Sequence, residues 1–147
     1  MPLTKLTMQI QTLNAAGAKI ALAAAERAAT ASKLKVSVAI VDNAGNLVAF
    51  HRIDGACVTT IEAAIRKART AAQLGAPTKV FEDLLQGGMT SLLSFEFVTA
   101  SQGGVPILLD GTVIGGIGSS GGSGAEDEMV ANAGATVMVS EARGINI

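Results

Sequence analysis

The chain carries one histidine, His51, followed closely by Arg52 and Asp54 in the stretch HRIDGA. A neutral imidazole can ligate a metal or move protons near pH 7. A single histidine makes no conventional metal centre without carboxylate help, and no H-x-H or H-E-x-x-H spacing is present. The other reading of His51 is a hydrogen-bonded ring at a sheet surface or interface. A second group is the basic cluster Arg66, Lys67 and Arg69, in which Arg66 and Arg69 share a helical face and Lys67 is turned away by about 100°. It reads either as a clamp for a carboxylate or as a solvated face with an i,i+4 pair between Glu62 and Arg66. A third group is Ser119-Ser120-Gly121 with the acidic run Glu126-Asp127-Glu128 after it. The amides and hydroxyls of the first can bind a small oxyanion, and Asp127 can serve as a general base or ligand contact. Gly104, in a rigid Gly-Gly-Val-Pro turn, offers backbone contact to a ligand. Cys57 precedes a helix start, a position that lowers a thiol pKa.

Those residues need elements to position them. Leu6, Ile10, Leu13, Gly17, Ile20 and Ala24 recur at helical intervals, which predicts a helix over 8–31 capped by Thr7. Val36, Val38 and Ile40 alternate with Ser37 and Ala39, and DNAGN turns the chain into a second strand over 47–53. That alternation sets His51 on the face of Leu47, Ala49 and Ile53. Thr59-x-x-Glu62 reads as a capping box opening a helix over 60–74, with Ile61, Ile65, Ala68 and Ala72 inward and Gly75 as its end. A short helix runs from Pro77-Thr78 to Leu85, SFEFV reads as a strand, and Asp110-Gly111 turns a second hairpin over 103–118. A last helix spans about 125–142 with Met129, Val130, Ala133, Val137 and Met138 inward. The order α-ββ-αα-βββ-α predicts one α+β domain over 1–147, an antiparallel sheet of about five strands flanked by helices.

Gly116-Ile-Gly118-Ser-Ser-Gly121 spells G-x-G-x-x-G. A dinucleotide site also needs a following strand with an acidic residue at its end, and the last helix leaves no chain for one. Three carboxylates at that helix start would repel a pyrophosphate. Ser123-x-x-Glu126 reads instead as a capping box, and the glycines as positions of close backbone approach.

Composition bounds the rest. A chain of 147 residues, half apolar, with net charge −1, buries one core. Neither a basic patch nor stacking aromatics point to nucleic acid. A lone cysteine implies a reducing compartment. No signal peptide or membrane span is expected, and the cytoplasm is the expected location. Abundant small residues and few bulky anchors favour association with copies of the same chain.

The blocks VSVAIVDNAGNLVAFHRIDGA (36–56), IRKARTAAQLGAPT (65–78) and GGVPILLDGTVIGGIGSSGGSGAEDE (103–128) resemble the GlcG/HbpS-like haem-binding domain family. The resemblance implies a profilin-like sheet and homo-oligomers, from tetramers to octamers. It also implies binding of haem or a related planar cofactor, for which His51 is the candidate axial iron ligand and the cluster Arg66, Lys67 and Arg69 the candidate clamp on a propionate. Other functions are linked to the family, and two alternatives stand. One is a cofactor-free isomerase or hydrolase of a small organic acid, in which His51 or Asp127 moves the proton and Arg52 or Arg66 holds the carboxylate. The other is an accessory subunit without a ligand.

Overall fold

A computed structural model describes residues 5–144. The elements are α1 (Ala15–Ala31), β1 (Ser37–Asp42), β2 (Leu47–Arg52), α2 (Thr60–Leu74), α3 (Thr78–Gln86), a 3-10 helix (Thr90–Ser94), β3 (Gly104–Leu109), β4 (Thr112–Ser120) and α4 (Gly124–Ala142). Among the described residues the sheet has four antiparallel strands, in the order β2-β1-β4-β3, rather than about five. SFEFV is not a strand. The Phe95 and Phe97 rings pack on each other at 5.5 Å. The backbone there turns to a side chain of α2, since Thr70 Oγ1 donates to Phe97 O and accepts from Thr99 N.

Both hairpins form where turn chemistry placed them. Asp110 and Gly111 have φ of 50° and 78°, the two positive values a type I′ turn requires. Asp42 Oδ1 accepts from the Ala44 and Asn46 amides and closes the other turn.

Helices cover both faces of the sheet. On one side α1 and α4 pack on Val36, Val38, Ile40, Val105, Ile107 and Ile117; on the other α2 packs on Ala39 and Val41. Strand β1 is therefore buried on both faces through Val41, and the alternation read from its sequence separates two cores rather than core from solvent. Each fully buried Ile or Val contributes about 1.5–3 kcal/mol. The α2 layer has little bulk, so its stability rests on close approach. A Cβ on Gly118 would lie 2.1 Å from Ala64 O, and one on Gly104 would lie 2.4 Å from Lys67 O. The first two glycines of G-x-G-x-x-G thus lie inside β4 and let the α2 backbone rest on the sheet.

Three helix ends are informative. α1 starts at Ala15, capped by Asn14 Oδ1 on the Gly17 amide, so residues 8–14 are not part of it. Thr59 is already helical, at φ −66° and ψ −20°, and makes no side-chain cap. The Thr60 hydroxyl donates to Cys57 O instead, so the Thr-x-x-Glu box is absent. The Ser123–Glu126 box is present in both directions. In α4, Val130 and Met138 are buried, but Met129 is 40% exposed.

Candidate functional site

Strand register gathers the candidate residues at one end of the sheet. Arg52, Ser37 and Ser120 form one row across β2, β1 and β4, and His51, Val38 and Ser119 form the next. His51 and Ser119 are thus two strand spacings apart, about 10 Å, with Val38 fully buried between them. The start of α4 and the first turns of α2 close over the same end. Ser37 Oγ meets Thr60 Oγ1 at 2.8 Å, and Lys67 of α2 bonds Asp127 of α4.

His51 stands on edge strand β2, with its side chain about half exposed. A bulge between Ile40 and Val41 inserts Val48. Val48, Ala49 and Ile53 pack on the α1/α4 core, and Leu47 is set opposite Val41, a residue of the other face. His51 therefore shares its face with Ala49 and Ile53 but not with Leu47. On that face Glu26 of α1 reaches its ring: Oε1 lies 2.5 Å from Nδ1. A carboxylate on Nδ1 fixes the ring and leaves the other nitrogen, Nε2, to a second partner, the arrangement that orients a metal-ligating histidine. Glu26 also lines an open cleft of about 540 Å³ with Ala23, Arg27, Thr30 and Ala31.

Lys67 and Asp127 form the buried charge pair. Their side chains are 6% and 3% exposed, and Nζ lies 3.1 Å from Oδ2. Lys67 Nζ also donates to Ser119 O, and the Gly122 amide donates to Asp127 Oδ1. Burial pushes the Asp127 carboxyl above the ordinary carboxylate range, against the opposing pull of Lys67 and of the Gly122 and Gly121 amides. Both carboxylate oxygens are engaged, so the group expected to act as a base is committed to joining the two helix layers.

The basic cluster does not assemble. Arg66 lies 3.6 Å from Glu62 on an exposed face, Lys67 turns into the protein, and Arg69 donates to Gly45 O in the β1–β2 turn. An exposed pair such as Glu62–Arg66 is worth little. Arg52 donates from Nε to Ala56 O, closing the turn in which Asp54 is exposed.

Ser119 is not in a loop. β4 extends through Ser120, the Ser119 amide donates to Gly103 O, and its buried hydroxyl has no hydrogen-bond partner among the described residues. Gly104 is buried under α2 with its amide given to Thr78 Oγ1, so neither group presents an open backbone contact. Gly121 remains exposed. Cys57 is an exposed thiol held below its ordinary pKa by hydrogen bonds to Thr59, with a smaller effect from Arg52.

Glu26 was missed because it sits among alanines of a helix with no local motif, 25 residues from its partner. Lys67 carried a signal: it lies on the opposite side of α2 from the charged pair and in phase with the buried alanines. Among the described residues no group of three or more His, Cys, Asp or Glu side chains could hold a metal ion, and no helix is long and apolar enough to cross a membrane.

A model of the family described as "Haem degrading protein HbpS-like" matches residues 13–136. The chain belongs to this family. The HbpS-like match starts where the chain is anchored to β4 and ends within α4, so it takes in the whole sheet and both helix layers. Protein GlcG of Escherichia coli K12 is 36% identical over 99 residues, 67% of this chain and 74% of GlcG. The crystal structure of a double-mutant form of Streptomyces reticuli HbpS is similar with a TM-score of 0.85 at 35% identity, covering 93% of this chain and 94% of that one. The crystal structure of a PduOC:heme complex is similar with a TM-score of 0.78 at 28% identity, over 86% and 94% of the two chains.

Proposed function

We propose that this HbpS-like protein binds haem, or a closely related planar cofactor, at the α1 side of β2, where His51 would hold its iron. The observation that carries the reading is the Glu26–His51 contact. It engages Nδ1 and leaves Nε2 of a half-exposed ring for iron, and the same Glu26 lines an open cleft on α1 with a cationic side chain, Arg27, at its wall. When bound, haem supplies the redox and small-ligand chemistry of its iron. The chain's part would be to hold and orient: Glu26 fixes the ring orientation with Nδ1 toward its carboxylate, and Arg27 faces a propionate. The residues fit a haem bound on one side by a single histidine. The cleft is open, so its other side is left for a further copy of the chain or for solvent. The haem carried by the related PduOC complex supports the same reading. The exposed free thiol of Cys57 suits a reducing compartment, and on that ground we place the protein in the cytoplasm.

Titration of the purified protein with haemin, followed in the Soret band, tests the reading. Wild type gives a saturable shift at one haem per chain. His51→Ala abolishes saturation, and Glu26→Gln weakens affinity about 10–100-fold, the range for a ligand's carboxylate support. Absence of a saturable shift in wild type, or equal affinity in His51→Ala, rejects His51 as the ligand.

A further inference from the structure

The acidic run Glu126-Asp127-Glu128 has one member that the fold does not use up. Glu126 accepts from the Ser123 amide and completes the cap, and Asp127 is held by Lys67 and the Gly122 amide. Glu128 is partly buried, and its Oε2 accepts from Gln102 Nε2 at 2.9 Å.

Glu128 lines an open cleft of about 400 Å³ with Gln102, Ala125, Met129 and Asn132. The four residues of α4 are spaced by three and four positions and share one face of the helix. Gln102, just before β3, forms the facing wall. Its side chain lies across Gly124, where a Cβ would come within 2.8 Å of Gln102 Oε1. The bond to Glu128 uses the nitrogen of the Gln102 carboxamide, so its oxygen is left to accept.

The cleft is thus rich in acceptors and carries negative charge. A carboxylate has room for about four hydrogen bonds, and Gln102 takes one. The Asn132 carboxamide adds another oxygen. Among the described residues that line the cleft there is no Lys or Arg. Lys67, which sits under the same end of α4, is turned to Asp127 and Ser119 O. Met129, 40% exposed, and Ala125 supply an apolar floor. A single carboxylate among neutral amides is a poor cage for a divalent ion. A cation carried on an apolar stem satisfies both halves of the cleft: its N–H donors meet the oxygens, and its methylenes lie on Met129 and Ala125.

We propose that the cleft between Gln102 and α4 binds a free primary alkylammonium ion, with Glu128 as its counter-ion, the Gln102 and Asn132 oxygens as further acceptors, and Met129 under the stem. The volume is that of a small-molecule site. It lies on the β3 side of the sheet, and the haem cleft lies on α1, at the β2 side.

Titration of isotope-labelled full-length protein without haem, at neutral pH and constant ionic strength, tests this through its amide chemical shifts. With n-butylamine hydrochloride, wild type gives one saturable set of shifts centred on Gln102, Glu128, Met129 and Asn132. Glu128→Gln keeps an acceptor for Gln102 and the far-UV circular dichroism of wild type, and it weakens binding about tenfold or more. n-Butanol, which has the stem without the charge, gives no saturable shift, and methylamine, which lacks the stem, binds about tenfold more weakly. Nα-acetyl-lysine methylamide presents the same ammonium on a peptide, and it binds more weakly than butylamine. No saturable shift, shifts centred elsewhere, butanol equal to butylamine, or unchanged affinity in Glu128→Gln overturns the proposal. Lysine methylamide binding as tightly as butylamine or tighter overturns a free amine as the occupant.

Discussion

Replacing Lys67 by methionine removes a charge from a buried ion pair and keeps most of the side chain's length. The ammonium is 6% exposed and 3.1 Å from Asp127, whose own side chain is 3% exposed. Removing one member of such a pair strands the other charge out of water, a loss of about 3–5 kcal/mol at neutral pH. The stranded group can titrate, which gives the loss a pH signature. In wild type the Asp127 pKa already lies above its ordinary 3.8, because burial outweighs the pull of Lys67. The folded state holds that proton more tightly than the unfolded state, so this group's contribution to stability is present below 3.8 and lost as pH rises through the raised value. Without Lys67 the upward shift grows, because burial remains and the largest opposing pull is gone. The penalty of Lys67→Met is therefore large at pH 7 and fades as pH falls toward 3.8, below which Asp127 is neutral in both states. Urea unfolding followed by far-UV circular dichroism reads this, since the chain has no Trp or Tyr for fluorescence. Protein concentration is held fixed so that assembly does not enter the comparison. Adding Asp127→Asn to Lys67→Met recovers roughly half the loss or more, because the amide oxygen still accepts from Gly122 and no charge is buried. A Lys67→Met penalty below about 1 kcal/mol at pH 7, or one equal at pH 7 and pH 4.5, would refute a desolvated pair.

Two further substitutions probe the packing and the caps. Gly118→Ala puts a methyl 2.1 Å from Ala64 O and 2.6 Å from Ala68 N, so α2 must lift off the sheet. The expected cost is about 3 kcal/mol or more, and a thermal melt within 2 °C of wild type would show that the helix does not rest on that glycine. Ser123→Ala removes the side-chain acceptor at the start of α4 and costs about 1 kcal/mol; the urea midpoint checks it, with an unchanged slope showing that the fold is retained.

Local chemistry was read directly from the residues wherever it acts within a few positions. Asp110-Gly111 makes its hairpin and Ser123-x-x-Glu126 its capping box because both are set by neighbours along the chain. Gly75 likewise ends α2, at φ 67°. Readings failed where a local pattern competed with a distant partner. Thr59 and Glu62 have the spacing of a box, but Thr59 is itself in helical conformation, and Thr60 is held by Cys57 O and Ser37 from β1. Leu6 and Ile10 have helical spacing, but Asn14 caps α1 after them. SFEFV has strand composition, but its backbone is bonded to Thr70 of α2.

The same division holds for the candidate site. The residue types were legible: one histidine, a carboxylate beside a Gly/Ser stretch, a basic cluster, and a family resemblance carried by three blocks that the HbpS-like match covers. Which of them meet was not, because the side-chain contacts form across 25 residues for Glu26–His51 and 60 for Lys67–Asp127. A helix or strand period assigns a side chain to a face, and a turn motif fixes the next few dihedral angles. Neither says which element will stand opposite. That choice belongs to the packing of α1 and α4 on one side of the sheet and α2 on the other. It sets Glu26 on His51, takes Lys67 out of water and leaves Arg66 in it.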